Sequence, residues 1–141
     1  MNLIQEIKKA LKVKYQLSTL WTTDAVPFYL DHAPLGKNYP IIAVYHVGAN
    51  QTMAMPTIAT PAGFNYTDGR WQMSIFSNDR QHIDLEDIAD RLEDVFHRQS
   101  LTLGNGCTHI ATLSYNNHTT FYDEGQKIWG IHLQFRILAG K

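Results

Sequence analysis

From Lys127 to Leu138, Trp129, Ile131, Leu133, Phe135 and Ile137 occupy every second position. Successive side chains of a strand point to opposite sides, so this alternation predicts a strand with one apolar face turned to a core. The residues between them, Gly130, His132, Gln134, Arg136 and Leu138, predict an opposite face that is wet or meets a partner. A chain that folds around such a strand must cover its apolar face. Leu85, Ile88, Ala89, Leu92, Val95 and Phe96 recur at spacings of three and four, which predicts a helix over Asp84 to Gln99 with a stripe wide enough to do so. Leu92 lies at the centre of that stripe and is expected to face the sheet near Ile75 or Phe135.

The remaining elements follow from weaker patterns. Leu3, Ile7, Ala10 and Leu11 predict a first helix over Asn2 to Leu17, with Lys8, Lys9, Lys12 and Lys14 solvated and favourably placed toward its C-terminal half. Tyr39 to Val47 reads as a strand covered on both faces, with Pro40 at its start, where a missing N–H is tolerated. Trp71, Met73 and Ile75 alternate with Gln72 and Ser74 in a half-buried strand, and His109 to Tyr115 reads as another. Ser18 to Asn38 reads as an irregular connection. Asn116 to His118 reads as the start of another connection, with Asp123, Glu124 and Gly125 near its end. The expected fold is α+β, an antiparallel sheet of about four strands backed by two helices. The length of 141 residues suits one domain over 1–141.

Gly48 to Gly69 breaks the pattern. It is rich in Thr, Ala and Gly, contains Pro56 and Pro61, and has Asp68 as its only charge. It reads as a long β–β connection, a loop or assembly arm over 48–69, with a turn at Thr67 to Gly69 that starts the next strand. Connections of that length inside a small domain are uncommon and are usually functional or disordered. Met53, Met55, Ile58, Phe64 and Tyr66 are apolar or aromatic residues that a connection cannot bury alone. With His132, Gln134 and Arg136 they form the expected partner interface.

Charge and cysteine content limit the function classes. Twelve basic and thirteen acidic residues leave a net charge of −1, so no basic excess marks a nucleic-acid binder. Cys107 is the single cysteine, which excludes an internal disulfide and a cysteine-based zinc site. No apolar run approaches the ~18 residues that mark a membrane span, and the N-terminus lacks the apolar run and cleavage site of a signal peptide. Synthesis in a cytoplasm, with no membrane partner, is expected.

Catalytic signatures are missing from the sequence. Ser74, Ser77, Ser100 and Ser114 lack a nucleophile-elbow context, and Gly104 to Gly106 is a turn with no following helix or lysine to bind phosphate. The seven histidines form no H-x-x-x-H or H-E-x-x-H pair. His46, His109 and His132 are the best trio for convergence on a metal, and they support an alternative reading as a small metal- or ligand-binding enzyme domain. Glu86, Asp90, Glu93 and Asp94 form the polar face of the second long helix and read as a solvated surface. Asp87–Arg91 and Asp94–Arg98 are favourable i,i+4 pairs on it. No catalytic residue, metal or cofactor is expected.

The order of these motifs resembles the tail-terminator and tail-to-head-joining (tail completion) proteins of long-tailed bacteriophages. The resemblance rests on Ile7 to Leu11 in the first helix and on the Tyr39–Pro40 opening of a strand. It continues through the Trp71 to Ser77 strand, the Ile88–Ala89–Asp90 helix core, Leu101 to Leu103, and the acidic turn at Asp123 before Ile128 to Phe135. It spans nearly the whole chain, although the Gly48 to Gly69 connection is longer than in that family. The resemblance implies a virion structural protein without catalytic residues or cofactor. It implies a ring, typically a homo-hexamer, that caps the tail tube and joins it to the head connector or adaptor proteins. Genomic DNA would pass the lumen without sequence-specific binding, and the acidic helix face would meet solvent or that lumen.

Overall fold

The computed structural model describes residues 3–31, 40–54, 64–78, 82–125 and 127–140. Helix α1 (Leu3–Gln16) is followed by the single turn α2 (Thr19–Thr22) and the short strand β1 (Phe28–Leu30). Two long strands, β2 (Ile41–Ala54) and β3 (Phe64–Ser77), precede helix α3 (His82–Phe96). Strands β4 (Thr108–Asp123) and β5 (Ile128–Gly140) complete the chain. The strands form one five-stranded sheet in the order β1-β2-β3-β5-β4.

The α+β expectation holds, with corrections to the sheet. It has five strands among the described residues, three helices accompany it, and it is mixed because β1 runs parallel to β2. Within the stretch expected to be irregular, Phe28 pairs with Ile42 and Leu30 with Val44. Three residues are too few to display a period of two. Tyr15 fixes this region, its hydroxyl donating to the Val26 carbonyl at 2.6 Å while its ring stacks on Phe28 at 4.4 Å. Burial pushes the Tyr15 phenol far above its usual range.

The Gly48–Gly69 connection is mostly strand. Gly48 pairs with Arg70, Asn50 with Asp68 and Ala54 with Phe64, so Thr67 to Gly69 lies inside β3 and is not a turn. The hairpin overhangs the sheet, since Tyr66 is the last β3 residue paired to β5, at Gly140. Met53 and Phe64 are in its final rungs, whereas Met55 and Ile58 lie outside the described residues. The polar composition of this stretch suits strands that pair without a helix over them. Likewise β4 does not end at Tyr115 but resumes after an irregularity between Ser114 and His118.

The helices lie on one face of the sheet. Leu85, Ala89, Leu92 and Phe96 of α3 and Leu11 and Tyr15 of α1 share a continuous core with Trp71, Met73, Ile75, Ile131, Leu133, Phe135 and Ile137. Leu92, Ile75 and Phe135 are fully buried together, as the stripe predicts. The other face carries a small separate cluster, in which Ile41 and Ala43 are covered by Tyr29, Tyr45 and Phe76. The Gly104–Gly106 turn is tied to α1: the Glu6 carboxylate accepts from the Gly104 N–H at 3.0 Å and the Asn105 side chain at 2.7 Å. These two hydrogen bonds hold the Glu6 carboxyl below its usual range, against its burial.

Candidate functional site

The sheet face without helices presents the even-numbered residues of β3 and β5. Their register places Ser74 opposite His132, Gln72 opposite Gln134 and Asp68 opposite Leu138. Ser74 is fully buried, and its hydroxyl lies 2.7 Å from His132 Nδ1. Gln72 Nε2 reaches both, at 3.0 Å to Ser74 and 3.2 Å to His132. Phe121 of β4 stacks on the imidazole at 4.5 Å and meets Phe76 edge-on at 5.9 Å. Gly130 makes room for it, since a Cβ there would lie 2.1 Å from Phe121 Cζ. Burial pushes His132 below the usual histidine range, so the ring is neutral at pH 7.

Further along this face Arg136 donates through Nε and Nη2 to both carboxylate oxygens of Asp68, at 2.6 to 2.9 Å. The bidentate geometry is the strong form of such a pair. Hydrogen bonding to Asp68 and its charge raise the Arg136 pKa. Among the expected interface residues, the structure therefore brings His132, exposed Gln134 and Arg136 onto one face. It adds Gln72, Ser74 and Phe121, which the sequence analysis did not nominate. Alternation placed Gln72 and Ser74 on the correct side. That they are bonded to His132 follows from the register of β3 on β5, which no local pattern reveals.

The metal-binding trio is not assembled. His46 pairs with Trp71 on the helix-covered side, its ring 4.8 Å from the indole. His109 accepts from the Leu101 N–H at 3.3 Å and contacts the Thr112 hydroxyl at 2.7 Å. His132 is on the opposite face. Each of the three has its own partners, and burial lowers the pKa of each. The enzyme reading built on these strand histidines therefore loses its basis.

A different constellation joins α3 to β4. Glu93 is only 14% exposed, which corrects its placement on the solvated acidic face. One carboxylate oxygen accepts from the Ser114 hydroxyl at 2.5 Å, and the other lies 3.0 Å from His118 Nε2. The Ser114 N–H donates to His97 Nδ1 at 2.9 Å. Burial alone would raise the Glu93 pKa, but the Ser114 and His118 hydrogen bonds outweigh it and the carboxyl is held below its usual range. Asp90 is 73% exposed and lies 4.0 Å from His118 Nδ1. Glu86 and Asp94 are exposed.

A cleft of about 610 Å³ opens between α2, α3 and the ends of β2 and β3. Arg91 on its wall donates to Asp24 at 2.5 Å and to Thr19 at 3.1 Å, with Asp87 at 3.8 Å. These partners tie α3 to α2 and give Arg91 a structural role. Arg98 has left the helix in a left-handed conformation (φ 58°), and no Asp94–Arg98 pair occurs among the described ion pairs.

No family model matches this sequence, and no curated protein matches it. Its fold is found in a solved structure. A chain of the virion of a native gene transfer agent particle superimposes with a TM-score of 0.74, over 99% of this chain and 98% of that one. The identity is 13%, so the likeness is one of fold. No helix among the described residues is long and apolar enough to cross a membrane.

Proposed function

We propose that the chain is a virion structural protein, a tail-terminator or head–tail joining ring subunit that caps the tail tube and connects it to the head. The observation that carries this reading is the fold shared end to end with a chain of a gene transfer agent virion. The order of motifs from Ile7 to Phe135 agrees with it. In this reading six copies close a ring through Met53, Met55, Ile58, Phe64 and Tyr66 of the 48–69 stretch and through the His132, Gln134 and Arg136 face. The tail tube protein and the connector or adaptor proteins meet the two ends of the ring. Glu86, Asp90 and Asp94 face solvent or the lumen, where carboxylates repel DNA phosphates and let the genome pass.

Native mass spectrometry and electron microscopy test this. Six-fold rings with an open channel are expected, as is labelling at the head-proximal end of tails. A chain that stays monomeric both alone and with its tail tube protein, and is absent from purified particles, overturns the reading. Replacing 52–64 with a short Gly/Ser link is expected to leave the monomer folded and to stop ring closure.

A further inference from the structure

We propose that Asp90, Glu93 and His118 form a site for a divalent metal of the zinc class, which clamps α3 to β4. Asp90 and Glu93 are three residues apart and project from the same side of the helix. His118 comes from the irregularity in β4. On β5, Phe135 and Leu133 are two residues apart, yet their partners Ser114 and His118 are four apart. The two extra residues interrupt the ladder and re-aim the side chains that flank them, as bulges do. Both Ser114 and His118 consequently reach Glu93.

One ligand atom from each of the three residues lies within 4.8 Å of the others. Ligands at zinc distance, ~2.0–2.2 Å, stand roughly 3.3 Å apart in a tetrahedron. The 3.0 Å separation of Glu93 Oε2 and His118 Nε2 is close to that span. Asp90 is largely exposed and lies 4.0 Å from the other ring nitrogen, Nδ1, so a side-chain rotation toward Nε2 would make it the third ligand and leave the fourth position for water. One imidazole nitrogen with two carboxylate oxygens suits zinc better than magnesium or calcium, which prefer oxygen alone. Glu93 is held from behind: Ser114 Oγ binds its other oxygen, and His97 holds the Ser114 backbone. Metal sites use such outer contacts to orient a ligand.

The inference does not depend on the virion reading. Calorimetric titration of the metal-stripped full chain with zinc chloride at neutral pH is expected to give one site per chain. Cobalt substituted there should give the absorption of a four-coordinate ion. His118→Ala and Asp90→Asn are expected to weaken zinc by more than ~100-fold, and Ser114→Ala by about 10–100-fold through loss of orientation. Asp94→Asn, exposed on the same helix, should leave affinity unchanged. Asp90 is 73% exposed, so its variant tests the site even if His118→Ala is unstable. Equal zinc uptake by the wild type, His118→Ala and Asp90→Asn would assign the metal to other histidines and overturn the proposal. So would the absence of zinc binding by the wild-type chain.

Discussion

The two faces of the sheet are built on different principles. Under the helices Trp71, Met73, Ile75, Ile131, Leu133, Phe135 and Ile137 are almost completely buried and apolar. On the other face Gln72, Ser74 and His132 bond to one another, Arg136 grips Asp68, and Phe121 lies over Gly130. Burial of apolar area stabilises the first face and is tolerant of how neighbours are chosen. The second face depends on mutual satisfaction of polar groups and on one close ring contact, so it specifies register more than it adds stability. A face that keeps polar groups paired to each other can stay exposed in a monomer and still meet a partner.

The largest effect should come from the covered face. Leu92→Ala is expected to cost ~2–5 kcal/mol, as buried leucine truncations do, read from denaturant melts. A loss below ~0.5 kcal/mol would show that α3 is not packed by this stripe. On the open face Gly130→Ala must displace Phe121, at about 1–3 kcal/mol for an overpacked contact. Adding Phe121→Ala should recover part of that loss, whereas additive losses would mean the ring does not sit over Gly130. Ser74→Ala is expected to cost about 1 kcal/mol, because His132 and Gln72 lose a partner. An NMR shift of the His132 ring would report it.

Acid should weaken both faces together. Burial lowers the pKa of His46 under the helices and of His132 on the open face, and that of His109 near the α3–β4 loop. Unfolded histidines titrate near ~6.5, so below that pH the unfolded chain binds more protons and stability falls as pH drops. Glu6 and Glu93, held low in the fold, act in the same direction: their contribution is lost as pH falls through their folded pKa values. A melting temperature that declines from pH 7 to pH 5, and declines less in His132→Gln, is expected. The smallest effect belongs to Arg98→Gly at the end of α3, where φ is 58°. Glycine there should stabilise by a few tenths to ~1 kcal/mol, and any destabilisation would mean the arginine side chain is needed.

How far the sequence reached differs by element. The α3 stripe and the β5 alternation were legible because each repeats over enough residues to define a period. β1 was not legible, since three residues show none and its pairing with β2 is a long-range contact. The Gly48–Gly69 stretch was misread as irregular because its Gly, Ala, Thr and Pro content shows no alternation of apolar and polar residues, whereas its pairing is a register between two segments. At the α3–β4 junction the acidic helix face was visible, but Glu93 could not be separated from Asp94. The packing of α3 against β4 brings Glu93 to Ser114 and His118 and leaves Asp94 in water.

By itself the sequence determined the elements with strong periods, the apolar side of each, and the absence of a charge excess, because these depend on residues close together along the chain. The tertiary structure alone decided the strand order β1-β2-β3-β5-β4, the bonding of Ser74 to His132 across 58 residues, and the meeting of Glu93 with His118 across 25. Those contacts depend on which strand lies beside which and in what register. Register is fixed by the sum of packing over the whole sheet, and no single segment carries it.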